Sequence, residues 1–159
     1  MSEQTVKKQK SSDIAMKRAA RLLAVQAIYQ YLEQGGEASK LVTEFLTHRS
    51  GMIEDGETMV SPDPILFKTL MVDVIARHED MHHLVDQNRS VKEGAELSTL
   101  EPLLRAILLC GATELTVHLK TDFPVIISDY VDISKAFYQG REPGLVNAVL
   151  DSIRKVVRN

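Results

Sequence analysis

Apolar side chains recur at steps of three and four along most of this chain, and short polar stretches holding glycine or proline interrupt them. That spacing is the signature of amphipathic helices. From Met16 to Leu32, residues Leu22, Val25, Tyr29 and Leu32 make one stripe for the core. Ser11, Ser12 or Asp13 is placed to cap this helix, and Gly35-Gly36 ends it after Gln34. Ser39 to His48 predicts a short second helix with Leu41, Val42, Phe45 and Leu46 inward. Arg49 to Asp63 holds two glycines, a proline and four acids, and reads as a solvated loop. Pro64 opens a third helix to about Asn88, with Ile65, Leu66, Leu70, Val74, Ile75, Met81, Leu84 and Val85 apolar. After a break at Ser90 to Leu97, Ser98 or Thr99 caps a helix that carries Pro102 in its first turn. Its residues Leu103, Leu104, Ile107, Leu108, Leu109, Cys110 and Leu115 surround it almost completely, which places it at the centre of the fold. Val125 to Phe137 is rich in β-branched residues, yet Tyr130, Ile133, Ala136 and Phe137 keep helical steps, so a helix is predicted. A turn at Gln139 to Gly144 leads to the last helix, Leu145 to Val157, with Leu145, Val149, Ile153 and Val156 or Val157 inward. The expected fold is all-α.

At 159 residues the chain makes one domain. A chain of this size buries about 70% of its extended surface without staples. There is no apolar run near the roughly 18 residues of a membrane span and no apolar segment of a signal peptide at the lysine-rich start. One cysteine, Cys110, excludes an internal disulfide. A cytoplasmic protein is expected. The net charge of −3 hides an asymmetry, because residues 1–21 hold Lys7, Lys8, Lys10, Lys17, Arg18 and Arg21 against Glu3 and Asp13. That end carries +4 and the remainder −7, so an anionic partner is directed to the basic end. Residues 1–12 are polar and aperiodic and are expected to form a flexible basic arm ahead of a domain at 13–159.

The chemistry follows from this charge. Lys17 and Arg21 lie four residues apart on one helix face with Arg18 beside them, a surface able to follow a phosphate backbone. Arg141, the Pro143-Gly144 turn and Asn147 offer a cation, a close approach to the main chain, and a donor with an acceptor. Gly140 and Gly144 also suit an ordinary turn between helices. His78-Glu79-Asp80-Met81-His82 matches H-E-x-x-H, which on a helix puts two imidazoles on one face for zinc with Glu79 as base. The extended form of that motif requires glycine and histidine where Val85 and Asn88 stand, and the segment reads as the polar face of a core helix that holds three histidines. Cys110 sits among apolar residues and reads as a small buried hydrophobe. No phosphate loop, G-x-S-x-G or C-x-x-C occurs. No enzyme is expected, and no cofactor or catalytic residue is assigned; the alternatives are a zinc hydrolase on His78 and His82 or a helical protein-interaction module without RNA.

Four stretches in register narrow the reading. Arg21 to Tyr29, RLLAVQAIY, resembles the opening helix of the NusB family, basic residues followed by A-x-Q-A-L-Y. Leu145 to Asp151, LVNAVLD, is similar to that family's closing F-V-N-G-V-L-D. Between them, Leu104-Arg105-Ala106-Ile107 with Glu114-Leu115, and Val131 to Phe137, resemble its L-R-x-A-x-x-E-L and E-A-V-E-L-A-K-x-F helices. The resemblance implies a compact bundle of about seven helices in two packed sub-bundles, here about 13–90 and 96–159. It also implies a bacterial transcription antitermination factor that joins ribosomal protein NusE to hold single-stranded boxA RNA of ribosomal operon leaders, acting indirectly on the RNA polymerase elongation complex. By position it implies RNA-side roles for Lys17, Arg18, Arg21, Tyr29, Arg141, Gly144 and Asn147. A partner-side acid of the family aligns with Leu100, and Glu101 is next to it. Ala19 stands where a third basic residue is frequent, Gly144-Leu145 replaces a Lys-Phe pair, and Ile127-Ser128-Asp129 replaces I-N-E.

Overall fold

The computed structural model describes residues 2–49, 53–55, 58–90 and 97–158, apart from the side chains at 8–11, 53–55 and 58–59. Its described residues form α1 (Glu3–Gln34), α2 (Ala38–Glu44), a π-helical turn (Phe45–Arg49), a hairpin of β1 (Ile53–Asp55) and β2 (Thr58–Val60), α3 (Pro64–Gln87), α4 (Pro102–Val117), α5 (Phe123–Phe137) and α6 (Glu142–Val157). The all-α architecture is as expected. Where a loop was expected, two three-residue strands pair antiparallel with Ile53 opposite Val60.

α1 differs most from expectation. It begins at Glu3, ten residues before Asp13, and Ser2 caps it by accepting from the Thr5 N–H at 3.2 Å. The segment expected to be an aperiodic arm is therefore helical, propagated outward from a turn already fixed by packing. Its buried side is also not the stripe of large residues. Ala19, Ala20, Leu23, Ala24, Val25, Ala27 and Ile28 are buried, while Leu22 and Leu32 are half-buried and Tyr29 is exposed. Alanines let the axes of α3 and α4 come close, and contact with a neighbouring helix outweighs side-chain size in choosing the inward face.

The starts of α3 and α4 share one solution. Asp63 accepts from the N–H groups of Ile65 and Leu66 at 3.0 and 3.1 Å, and Pro64 occupies the first helical position. Glu101 accepts from Leu103 and Leu104 at 3.3 Å ahead of Pro102. The cap of α4 is thus Glu101, and Ser98 and Thr99 lie outside it; a carboxylate one residue before proline reaches the orphan amides and favours the positive helix end.

α4 packs on α1, α3, α5 and α6 and is the axis of the molecule. Every residue from Ala106 to Leu115 is buried, including Cys110, whose thiol burial pushes well above its usual pKa. One apolar cluster runs from Ala20 through Phe67, Ile107 and Tyr130 to Ile153, spanning both halves of the chain. The end of α4 is closed by Arg158, which donates to the carbonyls of Leu115 (2.8 Å), Thr121 (2.7 Å), His118 (2.9 Å) and Glu114 (3.3 Å). A guanidinium here satisfies carbonyls left open at the helix end and opposes their partial negative charge. Arg158→Ala is expected to lower stability by about 2 kcal/mol in urea unfolding; an unchanged midpoint would contradict this role.

Candidate nucleic-acid interface

The basic start of α1 divides into one buried cation and two outward ones. Arg21 is 1% exposed. Its Nε donates to Glu114 Oε1 at 2.7 Å, Nη2 to Glu114 Oε2 at 3.0 Å, and Nη1 to Asp129 Oδ2 at 2.9 Å. The Tyr130 hydroxyl donates to Glu114 Oε1 at 2.7 Å. His118 lies between Asp73 of α3, at 2.9 Å, and Glu114, at 3.5 Å. Arg21, Tyr130 and His118 meet the Glu114 carboxylate, with Asp129 and Asp73 behind them, so six side chains form this node. Burial by itself disfavours the charge on Glu114, but hydrogen bonds from His118, Arg21 and Tyr130 overcome it and hold its pKa at about 2. Burial likewise opposes the charge of Arg21, and Glu114, then Tyr130 and Asp129, raise its pKa regardless. Asp129 shifts upward because burial is only partly offset by Arg21 and Arg18. The hydrogen bond with Glu114 raises His118, with burial opposing and Asp73 assisting.

Arg21 is accordingly corrected from an RNA contact to a structural ion pair: a bidentate guanidinium that is 1% exposed is out of reach of a phosphate. Lys17 is exposed. The Arg18 side chain is 37% exposed and leans on α5, with Nε 3.4 Å from Asp129 and an Nη 3.9 Å from Asp132. Such partly solvated pairs are worth about 0–1 kcal/mol, so a phosphate can compete for Arg18.

The second expected segment is open to solvent. Arg141 is exposed and stands at the N-cap position of α6 without a capping side-chain bond. Asn147 is exposed on the helix, and Gly144 is exposed in its first turn. A Cβ built on Gly144 meets nothing within 4 Å, so no internal contact requires glycine there. α6, which carries this segment, packs on α4 and α5, and α1 packs on α3, α4 and, less extensively, α5.

Tyr29 stands about three turns further along α1 than Arg18. It is 39% exposed and lines a groove of about 680 Å³ with Gln26, Gln30, Glu33, Arg49, Glu101 and Phe137 among its walls. Glu101 there caps α4 and accepts from the Tyr138 hydroxyl. Tyr29, expected beside RNA, thus shares a surface with Glu101, expected beside a partner. Leu100 is 8% exposed and part of the core, so its side chain is not offered to a partner, a correction that leaves Glu101 as the acidic residue of this face. Gln26, Gln30 and Glu33 were not singled out from sequence, although their spacing of four and three with Tyr29 between them is a polar stripe readable there.

His78 and His82 face each other edge-on with ring centroids 5.9 Å apart, and Tyr31 meets His78 at 5.5 Å. Burial first, then Arg105, lowers the pKa of His82, and a guanidinium at that place also opposes a metal cation. The next acid along the helix, Asp86, is engaged by Arg105 at 2.8 Å and Arg89 at 3.2 Å. Among the described residues no three His, Cys, Asp or Glu side chains are grouped to hold a metal ion, and no helix is long and apolar enough to cross a membrane.

Against known proteins, the model described as "NusB family" matches residues 18–155. The chain is similar to the "Transcription antitermination protein NusB" of Sinorhizobium medicae, 39% identical over 140 residues, covering 88% of this chain and 86% of that one. It is similar to the Bartonella henselae protein of the same name, 38% identical over 149 residues and 93% of each chain. Among solved structures it resembles a chain in the complex of "Antitermination Factors NusB and NusE in complex with dsRNA", with a TM-score of 0.69 at 21% identity, covering 89% of this chain and 98% of that chain. T. maritima NusB gives a TM-score of 0.67 at 19% identity, covering 87% and 90%.

Replacing Arg21 by Met is expected to cost about 3–5 kcal/mol in urea unfolding at pH 7, because Glu114 and Asp129 are left buried without their cation; a loss under about 1 kcal/mol would show that the node is not a structural ion pair. The folded-state pKa of Glu114 is depressed from 4.5 to about 2, so its contribution is present above pH 4.5 and is lost as pH falls toward 2. His118 is raised above 6.5, so its contribution is full below pH 6.5 and declines as pH rises through the folded value. Urea midpoints across pH 2 to 9 should fall at both ends, and His118→Gln should remove the alkaline limb.

Proposed function

The chain belongs to the NusB family, and on that premise we propose that it is a non-enzymatic transcription antitermination factor that binds single-stranded boxA-type RNA together with ribosomal protein NusE. The observation that carries this reading is the division of α1 into two outward surfaces. Lys17 and Arg18 form a cationic corner on a protein that is otherwise acidic. About 16 Å further along the helix, Tyr29 enters the groove with Glu101. An RNA backbone is attracted to the first and repelled by most of the remaining surface. A groove with acidic Glu33 and Glu101, an exposed Tyr29 ring and the exposed Phe137 suits a protein partner that brings both a cation and apolar contact. Tyr29 is therefore assigned to the NusE side, and Lys17, Arg18, Arg141, Gly144 and Asn147 to the RNA side.

The groove also favours a second reading, a protein-interaction module that takes NusE without RNA. One titration separates them: labelled boxA RNA, single-stranded and as a duplex, against the protein with and without NusE. Tighter single-strand binding in the presence of NusE is expected; NusE binding with no RNA in either form would leave only the interaction module. With two to four phosphates contacted by this chain, log affinity should fall with log salt at a slope of about −1.5 to −3.

Gly144→Ala tests the α6 segment without damaging the fold. A helical glycine with open space around it gains up to about 1 kcal/mol on becoming alanine, so the melting temperature should hold or rise. RNA affinity should fall several-fold if the backbone there is approached by sugar or base; unchanged affinity would remove Gly144 from the RNA side. Lys17→Gln with Arg18→Gln should weaken RNA binding and flatten the salt slope by about 1.4, leaving NusE binding intact.

A further inference from the structure

α1 begins well before the core does. Residues 2–7 and 12–14 are exposed, and among the described residues the first buried side chain of the helix is Ala19. Glu3 to Ile14 covers about 17 Å of helix axis ahead of the helical core, and its described side chains are exposed. Its cap at Ser2 and its continuity with packed turns account for its stability, and nothing in it makes an apolar face, since Val6 and Ile14 are its isolated exposed hydrophobics. At 100° per residue, Lys7, Lys17 and Arg18 fall within an arc of about 100°, and position 10, a lysine, falls in the same arc by sequence spacing. Arg21 lies in that arc too, and its anchorage on Glu114 and Asp129 settles which way the start of the arc turns about the helix axis.

We propose that the exposed first turns of α1 are a second, sequence-independent RNA contact, which takes the phosphate backbone of single-stranded RNA running off the Lys17 and Arg18 corner. This rests on the RNA-binding reading above and extends it to a surface outside residues 18–155, where the family model matches. Three properties suit that ligand. The cations sit on a rigid rod, so little ordering is lost on binding. Lys7 to Lys17 spans about 15 Å of axis, which a stacked strand covers in four or five nucleotides at roughly 3.4 Å each. There is no aromatic side chain between Glu3 and Arg18 to read a base, so the contact is to the backbone alone. An anionic membrane is the less fitting ligand, because an interfacial helix needs an apolar face to insert.

The test compares a minimal boxA RNA with the same RNA carrying six extra uridines on its 5′ or its 3′ end, bound to the protein together with NusE. One of the two tails should tighten binding about tenfold at low salt and steepen the salt slope by about 1.4, two phosphates' worth. Lys7→Gln with Lys10→Gln should abolish both gains while leaving minimal-RNA affinity unchanged, with helicity checked by circular dichroism. A tail that gives no gain on either side, or a gain that survives the double substitution, overturns the proposal while leaving the primary site standing. Failure of the minimal RNA to bind at all sinks the primary reading and this one with it. Binding of the wild type to phosphatidylserine vesicles that the double substitution abolishes, with no RNA tail effect, would assign the ridge to membranes and overturn it.

Discussion

A single buried guanidinium determines how the first helix is turned. Arg21 is held by Glu114 through two parallel bonds and by Asp129 through a third, and that fork allows one rotation of α1 about its axis. Apolar seams tolerate small slips, since one alanine replaces another at little cost; a bidentate charge pair does not. Removing these charges from water costs several kcal/mol per ion, so the node adds little net stability beyond what well-packed apolar residues would supply. Its effect is positional. Lys17 and Arg18 fall on the same side of the helix one turn nearer its start, where Lys17 is exposed and Arg18 leans on Asp129 of α5. The orientation of the cationic corner is thus set from beneath by an ion pair that never meets the ligand.

The same node ties the corner to the rest of the molecule. Asp129 serves Arg21 from within and Arg18 at the surface, so α5 is the wall that positions α1. Arg18 and Arg21 share a partner but differ in solvent: 37% side-chain exposure against 2%. In water the exchange of one anion for another is nearly neutral, and Arg18 can leave a carboxylate for a phosphate. In the interior the same exchange would strand two carboxylates, and Arg21 stays. Exposure divides binding from structure within one basic cluster.

That division was not legible in the sequence. Lys17 and Arg21 share a helix face, and a basic face reads as wet; the carboxylates that draw Arg21 inward lie 93 and 108 residues away. The inward face of α1 is only partly legible for a related reason: Val25 of the large-residue stripe is buried, but alanines, which allow closer helix contact, make up much of that face. By contrast α4, apolar on all sides, and the 3.6-residue steps of α5 announced their places locally, and α5 is a helix despite its β-branched content. The cap of α4 could have been read, because Glu101 directly precedes Pro102; Ser98 and Thr99 drew the assignment as commoner capping types. The family resemblance assigns Tyr29 to the RNA side, whereas its place beside Glu101 and Phe137 in one groove is visible only in the structure.

An acidic protein with one cationic end is poorly equipped to hold RNA unaided. The −7 carried by residues 22–159 repels a polyanion over most approaches, and at physiological ionic strength a screening length of about 8 Å confines attraction to the corner itself. Two or three phosphate contacts made there are weak and do not discriminate sequence. Base discrimination then has to come from a surface completed by something else, and the groove on the same helix is where a second protein can be fixed at a set distance from the corner. Joining two weak surfaces on one rigid helix makes the second contact effectively intramolecular, so affinity rises without a new interaction. α1 serves as that ruler because Arg21 keeps it from turning.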